Sequence, residues 1–335
     1  MIPGDIATAL GVRASGTWRP APPGAGAAPG TYATSLPFLL ASATGRAPGE
    51  VAAGLAARLR GADWVSAAAV TGGGYLTVTV ARRALAALAV RVPAAGAACA
   101  ASDALSGSRL TVPDGAALAS ASSWDEAWRM VAGEVTGRLA KAAGAAVHVT
   151  TGLERTAPTG QSALAAGAAF AGSDAIRYAL ARTARARAGS IDASRCVQSD
   201  LGNPFFAVRY AHAHAASVLR WAADLGIDRG RPDAFRPGLL AHPSEIELLD
   251  VISWLPERAA SAARRRRPDA FARYLEDLSG AWLTCREHCP ALPFGGRSAP
   301  GDGPGAAARL WLAAAARTAI GTGLRLLGVA APDRL

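Results

Sequence analysis

Lysine is almost absent: Lys141 is the only one among 335 residues, so a formal charge of +10 rests almost wholly on arginine. Two explanations stand. Nucleotide bias toward G and C raises Ala, Arg, Gly and Pro together, whereas phosphate binding favours arginine for its planar, bidentate fork. Cysteine is scarce too. Cys99, Cys196, Cys285 and Cys289 are too few and too scattered for a disulfide framework in a chain of this length. In "CREHC", Cys285 and Cys289 stand one helical turn apart beside His288. No second ligand pair accompanies them, so a packed helix end is expected and a metal site is not. Long apolar runs are also missing. "ARRALAALAV" before Pro93 is broken by arginines well short of the roughly 18 to 20 residues that span a bilayer, so no transmembrane helix is expected. The opening "MIPGDIATAL" has an acid, no early basic cluster and no long apolar core, so it does not read as a secretory signal. The cytoplasm is the expected compartment.

What is present is ample for folding: 51% of the residues are hydrophobic, enough for two or three ordinary domains. Residues 1–30 read as a flexible N-terminal segment, because "ASGTWRPAPPGAGAAPG" is rich in Pro, Gly and Ala. Residues 31–92 read as a small α/β domain. Its helix carries Val51, Leu55 and Leu59 one turn apart. "WVSAAAVTGGGYLTVTVA" then reads as strand, Gly-rich turn and strand, and "RRALAALAVRV" as a helix that closes the unit at Pro93. Residues 93–173 form a middle segment. There Ser123 is the expected N-cap of a helix, with Glu126 completing a capping box, and "AAVHVTTG" is an expected short buried strand. Residues 174–335 read as an all-helical bundle, so the fold class is α+β.

"NPFFAVRYAHAH" opens one of the bundle helices, with Asn203 as N-cap and Pro204 as first helical residue. At 100° per residue, Arg209, His212, Ala216 and Arg220 share a stripe, while Phe205, Val208, Ala215, Leu219 and Ala222 fill the packing side. Two readings of the stripe remain open: a solvated helix face with a histidine tucked against it, or a surface where arginines meet phosphates and Tyr210 or His212 meets an unpaired base. Two further cationic clusters invite the same question. Arg264, Arg265, Arg266 and Arg267 lie between two helices, and Arg177, Arg182, Arg185 and Arg187 form a looser group with no acid among them.

The helical half resembles the anticodon-binding domain of arginyl-tRNA synthetases, the DALR type, whose short motif is "DAIRY" here, Asp174 to Tyr178. "CVQSDLGNPFFAVRYAHAH", "FARYLEDLSGAWLTCREHCPAL" and "RTAIGTGLRLLGVAAPDRL" follow in the family's order. "ASATGRAPGEVAAGLAARL" and "VTGGGYLTVTV" are similar to the additional N-terminal domain of that family, which supports the outer corner of the tRNA. Between the two, the family carries a class I catalytic core that needs on the order of 150 residues or more. Only residues 93–173 are available, reading as a reduced remnant of that core or its replacement. His148 is the only histidine there, so the His motif for ATP phosphates is missing. In "TGLERTAPTGQSALAAGAAFAGS", where the family's loop lysines belong, Arg155 is the only cation.

The resemblance therefore implies a truncated paralogue that binds tRNA, with an arginine tRNA as the candidate, and lacks aminoacylation machinery, cofactor and catalytic residues. Its implied RNA contacts are Arg209, Tyr210, His212 and Arg220, with Arg264 to Arg267 and the pair Arg177 and Arg182 as backbone contacts. His214 stands where the family usually has arginine and reads as structural, and Ala207 replaces a frequent aromatic. Two alternatives stand beside this: a tRNA-dependent transferase or accessory subunit acting with a partner enzyme, for which Asp125, Glu126, His148 and Glu154 show no triad or metal spacing, and a protein-interaction scaffold without RNA binding. Neither a membrane nor DNA is an expected partner, and the oligomeric state is open.

Overall fold

The computed structural model describes residues 2–11, 18–20, 28–113, 118, 121–150, 163–292 and 304–335. Glu154, Arg155 and most of the Pro/Gly-rich loop after Leu292 lie outside the described residues.

The chain opens with a helix, α1 (Ile2–Ala9), and a short strand, β1 (Trp18–Pro20). Residues 2–11 are thus not part of a flexible segment: Ile2, Ile6 and Leu10 recur at helical spacing and are buried, whereas residues 12–17 and 21–27, most of the Pro/Gly-rich stretch behind that expectation, lie outside the described residues. Next come β2 (Thr31–Thr34), α2 (Leu36–Thr44), α3 (Pro48–Leu59), β3 (Val65–Thr71) and β4 (Tyr75–Val80). The strands form an antiparallel sheet in the order β1-β2-β4-β3, with Tyr32 opposite Val78 and Val70 opposite Leu76. The predicted Gly-rich hairpin is real. Gly72, Gly73 and Gly74 all have positive φ, and a Cβ on Gly74 would stand 2.8 Å from Pro48 Cβ, so this turn also admits the start of α3.

The following apolar stretch does not close the α/β unit at Pro93. It forms α4 (Arg82–Ala86) and α5 (Leu88–Ala95), with Pro93 inside the helix, and then a 3-10 turn over Gly96–Ala100. Residues 82–100 are long and apolar enough to cross a bilayer by composition alone. Here that stretch is divided, and Leu85, Leu88 and Val92 sink into the core, where α5 packs on the last helix.

The middle segment folds as β5 (Arg109–Pro113), α6 (Trp124–Ala142) and β6 (Ala146–Thr150), a parallel strand pair joined by a crossover helix. Ser123 Oγ accepts the Glu126 N–H at 3.2 Å, as the capping pattern predicts, although the Glu126 carboxylate takes the Ser122 N–H. Gly133 and Gly137 let α6 lie close on Pro113 and Val112. β6 is a strand but not a buried one. Two strands with a helix on one face leave the other face open, so His148 and Thr150 are exposed and Val149 is 52% exposed.

The remainder is helical: α7 (Ala163–Ala171), α8 (Ser173–Arg182), α9 (Ala193–Cys196), α10 (Pro204–Asp224), α11 (Pro243–Ser253), α12 (Leu255–Arg265), α13 (Pro268–His288) and α14 (Pro304–Leu326). α10 packs on both α13 and α14, and α6 packs on α8 and α12, which builds the middle segment into the bundle. The N-terminal sheet is joined to the bundle by a polar and aromatic seam. The Gly30 N–H donates to Asp250 at 2.8 Å, Tyr32 Oη meets Ser253 Oγ at 2.8 Å, and the Tyr32 ring lies 5.1 Å from Trp254. Burial raises the Asp250 carboxyl above its ordinary range, against the lowering effect of the Gly30 N–H.

Candidate nucleic-acid interface

α10 starts where its sequence says: Asn203 Oδ1 accepts the Phe205 N–H at 3.2 Å, and the Asn203 amide donates to the carbonyls of Cys196 and Gln198. Of the expected packing side, Val208, Ala215 and Ala222 are buried, and Phe205 and Leu219 pack against the same core.

From His212 to Arg220 the polar stripe is covered by another part of the chain. His212 is only 4% exposed, and its Nδ1 lies 3.0 Å from the Pro332 carbonyl. A Cβ on Gly321 of α14 would stand 2.8 Å from His212 Nε2, so glycine there makes room for the ring. Burial pulls the His212 pKa down, partly offset by the Pro332 carbonyl. Arg220 donates to the Asp333 carbonyl at 2.9 Å and to Ser217 Oγ at 2.7 Å. Burial thus speaks against His212 as an RNA contact, and the part of Arg220 that meets the chain after α14 is engaged by its backbone as it folds back over this side of α10.

The "DAIRY" segment has a comparable structural task. Asp174 accepts the Ala330 N–H at 2.9 Å and so helps to fasten the same returning segment. Tyr178 is buried and donates to Glu276. Arg177 pairs with Glu134, Arg182 forks onto Glu276 at 2.7 and 3.1 Å, and Arg185 pairs with Asp125. The cluster that looked free of acids therefore finds them on α6 and α13. Arg177 and Arg182 join helices in this fold.

The Arg264–Arg267 run divides. Arg267 grips the buried Asp269 carboxylate through Nε and Nη2, both at 2.8 Å. The Arg267 fork is the main cause that holds the Asp269 pKa below its ordinary value. Arg266 caps α12 with a left-handed φ of 52° and reaches the Thr111 carbonyl at 3.4 Å. Arg264 and Arg265 are exposed and have no acidic partner among the described residues.

The other side of α10 gathers what the sequence scattered. Phe206, Tyr210 and His214 recur every four residues and form a ladder: Phe206 and Tyr210 stack at 5.8 Å and 15°, and His214 lies 6.0 Å beyond. Trp282 of α13 continues it, 5.9 Å from His214. Arg286, one turn further along α13, sits 5.8 Å over the Tyr210 ring, and Arg209 sits 5.1 Å over Phe205. Neither cation has an acidic partner among the described residues. Burial and then Arg286 pull the His214 pKa down to about 4, so its imidazole is neutral at pH 7. Sequence reasoning singled out Arg209 and Tyr210 but missed Phe206, Trp282 and Arg286. The four-residue spacing on each helix was the available signal; which helices meet was not.

An exposed aromatic pair also marks the N-terminal sheet. Phe38 meets Tyr75 edge-on at 4.9 Å beside the Gly-rich turn.

Residues 208–335 match the DALR anticodon binding domain, and residues 26–80 match the arginyl tRNA synthetase N-terminal domain. The chain is 40% identical over 164 residues to the arginine-tRNA ligase of Frankia alni and 39% identical over 164 residues to that of Clavibacter sepedonicus. Each alignment takes in 49% of this chain but only 29% and 28% of those relatives, so the chain spans about three tenths of the curated proteins it matches. Among solved structures, the Thermus thermophilus arginyl-tRNA synthetase aligns with a TM-score of 0.63 at 15% identity, over 99% of this chain and 98% of that one. That likeness is one of fold. Together these matches identify a chain with an arginyl-tRNA synthetase N-terminal domain and a DALR domain, joined through a βαβ segment.

Proposed function

We propose that this chain, which carries the arginyl-tRNA synthetase N-terminal and DALR anticodon-binding domains, is a tRNA-binding protein that does not itself activate an amino acid. The observation that carries the reading is the ladder of Phe206, Tyr210, His214 and Trp282 flanked by Arg209 and Arg286. The partly exposed rings of Phe206 and Tyr210 offer stacking platforms to unpaired bases, Trp282 backs the row from within the core, and cations without acid partners are free to meet phosphates. Arg264 and Arg265 extend phosphate binding along the molecule, and Phe38 with Tyr75 gives the N-terminal domain a place to touch the outer corner of the same tRNA.

The second half of the proposal rests on the segment between the two domains. It carries a single histidine, His148, on an open strand, and Lys141 as its only lysine. Adenylate formation needs several preorganised donors and cations around the transferring group. A cytoplasmic location and a preference for an arginine tRNA belong to the same proposal.

Purified protein titrated against total tRNA at low salt should retain it on a filter, and Tyr210→Ala should weaken retention about tenfold or more, since base stacking on an aromatic is worth about 1–3 kcal/mol. No retention would end the tRNA reading. ATP–pyrophosphate exchange with any amino acid would end the non-catalytic one.

A further inference from the structure

Beside the ladder, a cavity of about 760 Å³ opens between α10, α13 and α14. Its walls are largely apolar, supplied by Val218, Leu312, Ala291 and Leu292, with Trp221 and Leu225 at the rim. Those two rim residues are 52% and 60% exposed. The volume falls within the roughly 300–1,000 Å³ of small-molecule sites.

Three polar atoms make this groove unlike the rest of the surface. Trp282 Nε1, Arg286 Nε and His214 Nδ1 are buried without a hydrogen-bond partner, and all three residues line the cavity. Trp282 itself is only 3% exposed. Eight such orphans occur among the described residues, and three of them meet on this one wall. A buried donor left unpaired is unfavourable, so clusters of them mark places where a partner group belongs.

We propose that this groove is a binding site for a planar aromatic anion. The apolar walls and the two tryptophans accept the flat body, and the acceptor atoms of the anionic group answer the N–H groups of Trp282 and Arg286. Two sources share that chemistry: a free aromatic acid or nucleotide, and a base with its phosphate from bound RNA. The site rests on the groove's own residues and stands even where the tRNA reading fails.

The test uses the full chain and 1-anilinonaphthalene-8-sulfonate, a fused-ring sulfonate, as probe. One equivalent should bind saturably, raise the melting temperature and accept energy transfer from tryptophan. Trp282→Phe, which keeps a six-membered aromatic ring but removes the N–H, should weaken the probe at least fivefold. The rim variant Trp221→Ala/Leu225→Ser, whose residues are exposed and whose fold is not at risk, should weaken it at least tenfold. Saturating tRNA resolves the source. Displacement of the dye upholds the site and makes RNA its occupant, whereas simultaneous binding upholds it for a free small molecule. Non-saturable dye binding, or binding unaltered by the rim variant, overturns the proposal. A failure of the tRNA reading shows separately, as absent filter retention by a protein that still takes up the dye.

Discussion

Two faces of α10 carry the same kinds of residue and meet opposite fates. One holds His212 and Arg220, which are occupied by the returning segment at Pro332 and Asp333. The other holds Tyr210 and His214, stacked in line toward Trp282 with Arg286 above them. Residue type does not separate these faces. What separates them is whether a neighbouring backbone already supplies the hydrogen-bond partners.

The sharpest way to break the comparison is to exchange the consequences. His212→Ala should empty a closed site and strand the Pro332 carbonyl, costing about 2–4 kcal/mol in denaturant unfolding, with unaltered tRNA affinity in whatever protein stays folded. Tyr210→Ala should do the reverse, losing about tenfold or more in tRNA affinity for about 1 kcal/mol or less of stability. If the His212 change weakened tRNA binding in folded protein more than the Tyr210 change, the assignment of faces would be inverted.

The pH response sharpens the contrast further. The His214 pKa is depressed from 6.5 to about 4, so its neutral form is the one the fold accepts. Its contribution to stability is full above about pH 6.5 and is lost as pH falls toward 4. Melting temperatures measured at pH 7 and pH 5 should therefore fall less for His214→Gln than for the unmodified protein. An equal fall in both would show that other groups govern this limb. The smallest effect belongs to Arg264→Ala/Arg265→Ala. Unfolding free energy should stay within about 0.5 kcal/mol, while the slope of log affinity against log salt should shrink by about 1.4 to 1.8. An unchanged slope would remove both arginines from the interface.

Much of the fold was legible in the sequence because its signals are local. Ser123, Asn203 and Pro204 announce helix starts, Gly72 to Gly74 announce the hairpin, and both behave as expected. The misses were contacts at long range. β1 and β2 are three and four residues long, too short for an alternating pattern, and exist through pairing with each other and with β4. Arg177, Arg182 and Arg185 looked unpaired because Glu134, Glu276 and Asp125 reach them from other helices. The candidate site was half legible for the same reason. Arg209 and Tyr210 stand out on α10, but nothing in the sequence says that Trp282 and Arg286 complete their row.

The seam between sheet and bundle has a consequence for how the protein comes apart. Tyr32 is fully buried with its hydroxyl on Ser253, and its ring belongs to the same hydrophobic cluster as Trp254, Leu88 and Ile320. That cluster runs from the sheet into the bundle, so neither half keeps a finished interior once the other opens. Heating in a calorimeter should give a single peak whose van't Hoff and calorimetric enthalpies agree, in place of one transition per domain.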